Sequence, residues 1–278
     1  MDLNIRQLNL ADLNNAMRLS EAEGWNQTEK DWRMVLTNPD DICIGADYGG
    51  RIVGTSNAVV YEGKIAWIGM VLVERGLRRQ GIGRRLFDSI LGKVSGLRSV
   101  KLDATPAGQP LYEKFGFSEE YMIDRMINMN LADFDINYRA DVKPVSEKDL
   151  PFILQDDRKI FGTDRSFIIR NLFKDYPEKA FSIDDSFILG RSGKIFHYAG
   201  PLYSSSPEHA YALTGHVLKQ LVGQPVALDV PQSKKEFRRW LESIGFTKQR
   251  HFTRMYFNSN EFRGMPEQQY LILGPEFG

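Results

Sequence analysis

The residues most suggestive of chemistry form a glycine-rich stretch at positions 78–83, with the sequence Arg-Arg-Gln-Gly-Ile-Gly. Glycine adopts backbone angles that other residues avoid and lets a ligand approach the main chain closely. An apolar segment precedes the stretch and an amphipathic one follows it, so the glycines would lie between a strand and a helix N-terminus, where free N–H groups favour anions. Arg84 and Arg85 add positive charge. The pattern predicts a pyrophosphate site, although it matches neither a P-loop nor a Rossmann fingerprint.

The segments around the glycine stretch predict a mixed α/β fold. Residues 65–73 are almost continuously apolar, which is typical of a central strand covered on both faces. Residues 83–94 carry the apolar stripe of an amphipathic helix. A strand at 100–104, a short helix reaching 115 and a strand at 121–129 follow. Upstream, we expect a strand at 3–8, a helix at 12–23, a helix beginning at the capping residues 28–31, and a hairpin across 42–61.

The chain resembles itself at an offset of about 130 residues. Glu113, Gly116, Phe117, Arg125 and Met126 recur as the set Glu242, Gly245, Phe246, Arg254 and Met255. Shorter matches occur in the same order, among them the Leu-Asp pairs at 102–103 and 228–229. A duplication predicts two domains at 1–132 and 133–278, each of the mixed α/β class with one sheet. The polar stretch at 131–141 would link them.

Composition excludes several classes of protein. The 278 residues carry 36 basic and 36 acidic side chains, which is not the charge balance of a nucleic-acid binder. A hydrophobic fraction of 42% excludes a mainly disordered chain, and no apolar run approaches the length of a membrane span. A single cysteine and the absence of a signal-like N-terminus predict a cytoplasmic protein. His209 and His216 lack neighbours with ligand spacing, so no metal site is expected.

Three motifs in order resemble the acyl-CoA motifs of the GNAT superfamily of N-acetyltransferases. They are Val71-Leu72-Val73, then Arg78-x-x-Gly81-x-Gly83, then the segment Leu-Tyr-Glu-Lys-Phe-Gly-Phe at 111–117. The second half resembles the same fold with weaker motifs, and the layout is similar to that of bacterial tandem GNAT proteins. The resemblance implies two tandem GNAT-like α/β domains, each with a mixed, mostly antiparallel sheet flanked by helices. It also implies an acetyl-CoA-dependent enzyme that acetylates a small-molecule amine by direct attack.

The resemblance also implies roles for individual residues. The main chain of β-strand residues 71–73 would pair with the pantetheine arm, and the N–H groups of 79–84 would hold the pyrophosphate. Tyr112 stands where the family's tyrosine protonates the departing thiolate, and Thr105 replaces an asparagine that many members carry. The implied cofactor-binding set is Val71, Val73, Arg78, Arg79, Gln80, Gly81, Ile82, Gly83, Arg84 and Thr105.

The general base has no assignment from the sequence. An alkyl amine of pKa about 10.4 must lose a proton before it attacks at pH 7, and a carboxylate would normally assist. Many GNAT relatives carry a glutamate on the strand before the glycine loop, but residues 65–73 contain no acid. Candidates in other segments are Glu23, Asp31, Asp103 and Asp164, each of which could equally be a surface or capping group. Trp25 could cover the acceptor, and Asp164 with Arg165 could recognise it or form a surface ion pair.

The second half has lost the features that bind the cofactor in the first. Its equivalent of the glycine stretch, residues 202–208, lacks the paired glycines and the arginines and contains Glu208. Leu241 replaces the tyrosine. We therefore expect a degenerate second domain that completes the acceptor pocket or supports the first. A protein or peptide amine as the acceptor, or a non-catalytic sensor of acyl-CoA, are the alternative functions.

Overall fold

A computed structural model describes residues 3–135 and 141–278 of the chain. The helices are α1 Leu13–Ala22, α2 Glu29–Thr37, α3 Ile82–Val94, α4 Gln109–Lys114, α5 Leu150–Phe161, α6 Ser166–Asp175, α7 Pro207–Lys219 and α8 Lys235–Ser243. The strands are β1 Leu3–Gln7, β2 Ile42–Tyr48, β3 Arg51–Tyr61, β4 Ile65–Val73, β5 Ser99–Ala104, β6 Ser118–Asn128, β7 Lys143–Pro144, β8 Phe181–Ile183, β9 Ser186–Ser192, β10 His197–Tyr203, β11 Val226–Pro231, β12 Thr247–Asn258 and β13 Gln269–Leu271. The order within the first half is the one that the sequence predicts. Residues 136–140 of the predicted linker lie outside the described residues.

The strand β4 is central, as its apolar run indicates. Ile65 and Trp67 contribute to a core that also takes side chains from α1, α2, α5 and α6. Their neighbours Ala66 and Ile68 belong to a different core, which packs under α3. Because successive side chains of a strand point to opposite faces, both faces of β4 are covered. A third core lies under α7 and α8 in the second half.

The two expected sheets are joined into one sheet. Within the described residues, twelve strands follow the order β1-β2-β3-β4-β5-β12-β6-β11-β10-β9-β8-β7, and β13 pairs with β10 beside that path. The strand β12 of the second half pairs with β5 of the first, while β6 of the first half pairs with β11 of the second. Each half therefore receives its closing strand from the other half. Most pairs are antiparallel, and β4–β5 and β10–β11 are parallel.

Two duplicated aspartate–arginine pairs hold the exchanged strands. Arg254 on β12 lies opposite Asp103 on β5, and its guanidinium donates from Nε and Nη2 at 2.8 and 2.9 Å. Arg125 on β6 lies opposite Asp229 on β11 and donates in the same way at 2.8 and 2.6 Å. A two-point guanidinium–carboxylate contact fixes both position and orientation. The residues that recur in the two halves are thus partners across the halves.

The cleft that would receive a cofactor in the second half contains part of the chain itself. Parallel pairing between β10 and β11 is limited to His197 and Tyr198 on β10. Past these residues β13 pairs with β10, and the N–H of Ile272 donates to Asp229 O at 3.1 Å. Residues 269–272 therefore lie between β10 and β11, where an extended ligand would otherwise pair.

No helix among the residues that the structure describes combines the length and the apolar character needed to cross a membrane.

Candidate active site

The first half contains an open cleft between β4 and β5. The two strands pair only at residues Ile65, Ala66 and Trp67 of β4, and they separate beyond that point. Main-chain groups of Val71 and Val73 lie past the last paired residue, so an extended ligand can reach them. At the far end of the cleft, the Nε of Arg78 donates a hydrogen bond to the main-chain oxygen of Val73 at 3.0 Å. An extended ligand that carries amide groups could therefore pair with the edge of β4 in this cleft.

A distortion in β4 lies at the centre of the cleft. Met70 has a φ of 49°, which is unusual for a residue with a side chain, and the register with β3 shifts next to it. The hydroxyl of Thr55 donates to Met70 O at 2.9 Å. The β4 ladder is therefore interrupted at Met70, and the adjacent peptide groups are turned out of the regular pattern. The Val71 N–H belongs to this turned region.

The glycine stretch forms the entry to α3. Gly81 is the N-cap residue with a φ of 80°, a left-handed conformation that glycine adopts without strain, and Arg79 has a φ of 63°. Within α3 the Arg85 N–H donates to Gly81 O at 3.0 Å, and the preceding N–H groups have no acceptor inside the helix. Gln80, Ile82, Gly83 and Arg84 complete this turn. The N-terminus of α3 can therefore bind an anionic group, which is the kind of ligand that the sequence predicts for this stretch.

The carboxylate of Glu23, which lies beside the glycine stretch, is bound by two arginine side chains. It accepts from Arg75 Nε at 2.9 Å and forms an ion pair with Arg78. Burial opposes ionisation of Glu23, but the two guanidiniums outweigh it and lower the pKa of this carboxyl. Glu23 therefore holds the glycine stretch to α1 and is poorly suited to accept a proton.

A pocket of about 100 Å³ opens at the inner end of the cleft. Both halves of the chain contribute side chains to its wall. From the first half it is lined by Trp25, Asn26, Gln27, Ile68, Gly69, Met70, Val71, Leu102, Asp103, Thr105, Tyr112 and Arg125, and from the second by Arg250, Phe252, Pro275 and Glu276. The structure therefore brings together five residues singled out in the sequence, namely Trp25, Val71, Asp103, Thr105 and Tyr112.

Tyr112 reaches the pocket from α4. Its ring packs against Phe87 and Phe117, with centroids 4.7 and 6.3 Å apart. Thr105 begins the turn before α4 and accepts the Gly108 N–H through its carbonyl at 2.9 Å. Burial raises the pKa of Tyr112 to about 12, so its hydroxyl stays protonated throughout the neutral range. A protonated hydroxyl at this place can donate to a sulfur or oxygen atom in the cleft.

Two carboxylates line the pocket, and their surroundings differ. Both oxygens of Asp103 accept from Arg254, and burial raises the pKa of Asp103 against the effect of that guanidinium. Glu276 is also buried, and its Oε1 accepts from Arg191 Nη2 at 2.5 Å. Asp103 is thus engaged at two points in a structural pair, whereas Glu276 has a single arginine contact at one oxygen. Of the two, Glu276 is better placed to accept a proton.

The remaining predicted acceptor residues do not line this pocket. Asp31 lines a larger cavity of about 530 Å³ between α2 and α6. It is linked to Glu276 of the small pocket through Arg191, whose Nη1 donates to Asp31 at 2.6 Å. Asp164 accepts the Ser166 N–H at 2.7 Å at the start of α6. Arg165 is fully buried, donates to Asp157 and packs 3.9 Å over the ring of Phe161. Asp164 therefore binds the first residue of α6, and Arg165 lies in the core.

Glu276 and Arg250 are site residues that reasoning from the sequence missed. Each comes from the second half, and each reaches the pocket through long-range folding: Arg250 on the exchanged β12, and Glu276 on the segment 269–278 that continues from β13. The Glu276 backbone lies 3.1 Å from where a side chain on Gly69 would begin. Nothing local in the sequence marks either residue. The duplicated aspartates and arginines were the only available signal that the halves interlock.

Comparison with known proteins assigns a family to both halves. Residues 8–117 match the model of the acetyltransferase (GNAT) family, and residues 153–271 match that of an acetyltransferase (GNAT) domain. Holothin acyltransferase of Pseudoalteromonas sp. (strain SANK 73390) is 28% identical over 81% of this chain and 78% of its own length. The uncharacterized N-acetyltransferase YitH of Bacillus subtilis (strain 168) is 23% identical over 84% of this chain and 83% of its own.

Solved structures have the same fold over nearly the whole chain. A protein of Pyrococcus horikoshii solved as a candidate acetyltransferase superposes with a TM-score of 0.83 at 22% identity, covering 99% of this chain and 96% of its own. A tandem GNAT protein from the clavulanic acid biosynthesis pathway gives a TM-score of 0.63 at 12% identity, covering 92% and 98%. A GNAT model matches each half of the chain, and the first half also has the diverging strands and the glycine turn described above. The protein therefore belongs to the GNAT family of acetyltransferases as a tandem member.

Proposed function

We propose that the chain is an acetyl-CoA-dependent N-acetyltransferase that transfers an acetyl group to the primary amine of a small molecule by direct attack. The observation that carries this proposal is the continuity of the β4–β5 cleft with a pocket lined by both Tyr112 and Glu276. Acetyl-CoA supplies the activated acyl group as a thioester. The first half would bind it, and the second half would complete the acceptor pocket.

Residues of the first half would hold the donor along the cleft. The N–H groups at the start of α3 would bind the pyrophosphate. The edge of β4 beyond its pairing with β5, at Val71 and at the N–H of Val73, would pair with the pantetheine arm. The Val71 N–H, turned by the distortion at Met70, would donate to the oxygen of the thioester carbonyl. Such a donor favours the transition state because negative charge grows on that oxygen as the amine attacks.

Two side chains would carry the protons. Glu276 accepts a proton from the acceptor ammonium, either directly or through a water, and so leaves a neutral amine that can attack the carbonyl carbon. As the C–N bond forms and the C–S bond breaks, Tyr112 donates its hydroxyl proton to the departing thiolate. The second proton that the nitrogen loses on becoming an amide returns the tyrosinate to its neutral form, directly or through a water. Arg191 would fix the Glu276 carboxylate, since its guanidinium lies between Asp31 and Glu276 at 2.6 and 2.5 Å.

The pocket's volume favours a small acceptor. At about 10–15 Å³ for each water-sized position, a space of about 100 Å³ holds roughly seven to ten such groups, some of which the acetyl group would take. Asn26 closes one side by joining the halves, with its Oδ1 accepting the Phe196 N–H at 2.8 Å. A lysine on a folded protein would need an open groove to enter.

The test is acetyl-CoA-dependent thiol release across amines of several classes, with acetyl-CoA binding measured by calorimetry. We expect one acetyl-CoA per chain and turnover with a small amine. Gly81→Val should abolish binding, because its φ of 80° is strained for a β-branched residue. Ser205→Val, a change in the exposed loop that replaces the glycine stretch in the second half, is the matched control. Two sites per chain would contradict the role given to the second half, and binding without turnover on any small amine or peptide would favour a sensor.

A further inference from the structure

The wall of the acceptor pocket contains two arginines side by side, and among the described residues only one of them is hydrogen-bonded to a carboxylate. Arg250 on β12 lies directly opposite Arg125 on β6. Like charges at directly opposite positions destabilise a sheet. Arg125 is neutralised by its two hydrogen bonds to Asp229. Arg250 forms no ion pair within the part of the chain that the structure describes, and its buried Nε has no hydrogen-bond partner there.

The position of Arg250 is costly without a ligand. Burial and the neighbouring Arg125 lower the pKa of Arg250, and the carboxylates of Asp229 and Glu276, which form no ion pair with it, offset this only in part. The ring of Phe252 lies 4.9 Å from the guanidinium carbon and stabilises the cation in part, but it offers no acceptor to Nε. A buried donor without a partner is rare in proteins and needs a physical reason. An anionic ligand in the pocket would supply a directly bound counterion and the missing acceptor together.

A second unpartnered atom in the same pocket has the opposite polarity. Gln27 is 7% exposed and lines the pocket, and its side-chain oxygen Oε1 is buried with no hydrogen-bond partner among the described residues. An amide oxygen accepts hydrogen bonds, so it suits the N–H groups of an amine. The pocket thus offers an unused acceptor on Gln27 and an unused cationic donor on Arg250, with the Glu276 carboxylate in the same wall.

We propose that the acceptor is an amino carboxylate, whose carboxylate binds Arg250 while its amine lies against Gln27 and Glu276. This inference depends on the proposed function for the identity of the site, since it names the substrate class of the same pocket. A planar guanidinium matches a planar carboxylate at two points. The pocket's volume of about 100 Å³ requires that the amine and the carboxylate be separated by few bonds.

The experiment compares amino acids with the amines that result from their decarboxylation, in matched pairs, with an aminophosphonate added for each pair. Two readouts are taken on the full chain: kcat/KM for acetylation, and calorimetric binding of each compound to the CoA-loaded protein. The variants are Arg250→Gln, Arg250→Lys and the control Arg239→Gln, which removes an exposed arginine of α8 that pairs with Glu236.

In the wild type we expect the amino acid to exceed its decarboxylated partner by about 10- to 100-fold in both readouts, the usual effect of one charge-assisted contact. Arg250→Gln should bring that ratio towards one, Arg250→Lys should restore part of it, and Arg239→Gln should keep the wild-type ratio. Equal binding of both pair members by the wild type, or a preference that persists in Arg250→Gln, would overturn the proposal. A stronger response to the phosphonate than to the carboxylate would also overturn it.

The two readouts separate this inference from the proposed function. Preferential binding of amino acids that Arg250→Gln abolishes, with no acetylation of any compound, would support the carboxylate site and refute the reaction. Acetylation of both members of every pair at equal kcat/KM would support the reaction and overturn the carboxylate site.

Discussion

Replacing Glu276 with glutamine tests the proton acceptor without emptying the pocket. Glutamine has nearly the same size, and Arg191 keeps its contact with Asp31, so the buried guanidinium is not left without a counterion. An alkyl amine with a pKa of about 10.4 loses its proton at pH 7 at a cost of about 4.6 kcal/mol, and a positioned general base typically contributes about 10²- to 10⁴-fold. We expect Glu276→Gln to lower kcat/KM at pH 7 by about 10²- to 10³-fold.

The pH profile distinguishes loss of a base from loss of structure. Without Glu276 the neutral amine comes only from solution equilibrium, so the variant's rate should rise about tenfold for each pH unit up to the pKa of the amine. Initial rates of thiol release between pH 6 and 10 give this slope, and acetyl-CoA affinity from calorimetry should not change. Asp31→Asn removes the other carboxylate on Arg191 and serves as the control, with most turnover retained. A loss by the same factor at every pH, or no loss at all, would refute the assignment of Glu276.

Three further predictions concern the leaving group, a buried acid and the exchanged strands. Tyr112→Phe should lower kcat by about 10- to 100-fold while the calorimetric affinity for acetyl-CoA stays the same, and unaltered turnover would remove Tyr112 as the proton donor. Burial raises the pKa of Asp41 from 3.8 to about 7, so the folded chain keeps a proton that the unfolded chain releases above about pH 4, and stability falls as pH rises towards 7. Asp41→Asn should remove that decline and raise the free energy of unfolding by up to about 4 kcal/mol above pH 7. Urea unfolding of both proteins at pH 5 and at pH 8 measures the effect, and an unchanged decline in the variant would contradict the burial argument. Residues 1–135 and 141–278, produced together as separate chains, should elute as a one-to-one complex in size-exclusion chromatography, and a folded monomer of 1–135 alone would show that β5 does not need β12.

Local features of the fold and of the donor side of the site are predictable from the sequence. The apolar run of β4 coincides with the observed strand Ile65–Val73, and the stripe after Gly81 coincides with α3. These features depend on short-range periodicity and on backbone freedom at single glycines, which neighbouring residues reveal. The tyrosine at 112 follows from a motif whose residues are contiguous. The structure places it in the pocket, and its role stays a prediction.

The acceptor side is not predictable in this way because its residues are brought together from both halves by long-range folding. Arg125 and Arg254 are visible as a repeated residue, but the sequence does not say whether each pairs with the aspartate of its own half or of the other. Glu276 lies more than 200 residues from Val71, with which it lines the pocket. A sequence pattern within one half therefore cannot indicate which residues of the other half line the pocket.

The exchange of β6 and β12 also affects how the protein is made. During synthesis β5 is complete at Ala104, whereas its partner β12 begins only at Thr247. At about 5–20 residues per second, a ribosome needs roughly 7–30 s to add the residues between them. For that time the first half carries an unpaired strand edge, which is a template for association with other chains. If β6 paired with β5, this interval would be a fraction as long. The exchange of strands therefore exposes nascent chains to misassembly and makes them candidates for chaperone protection.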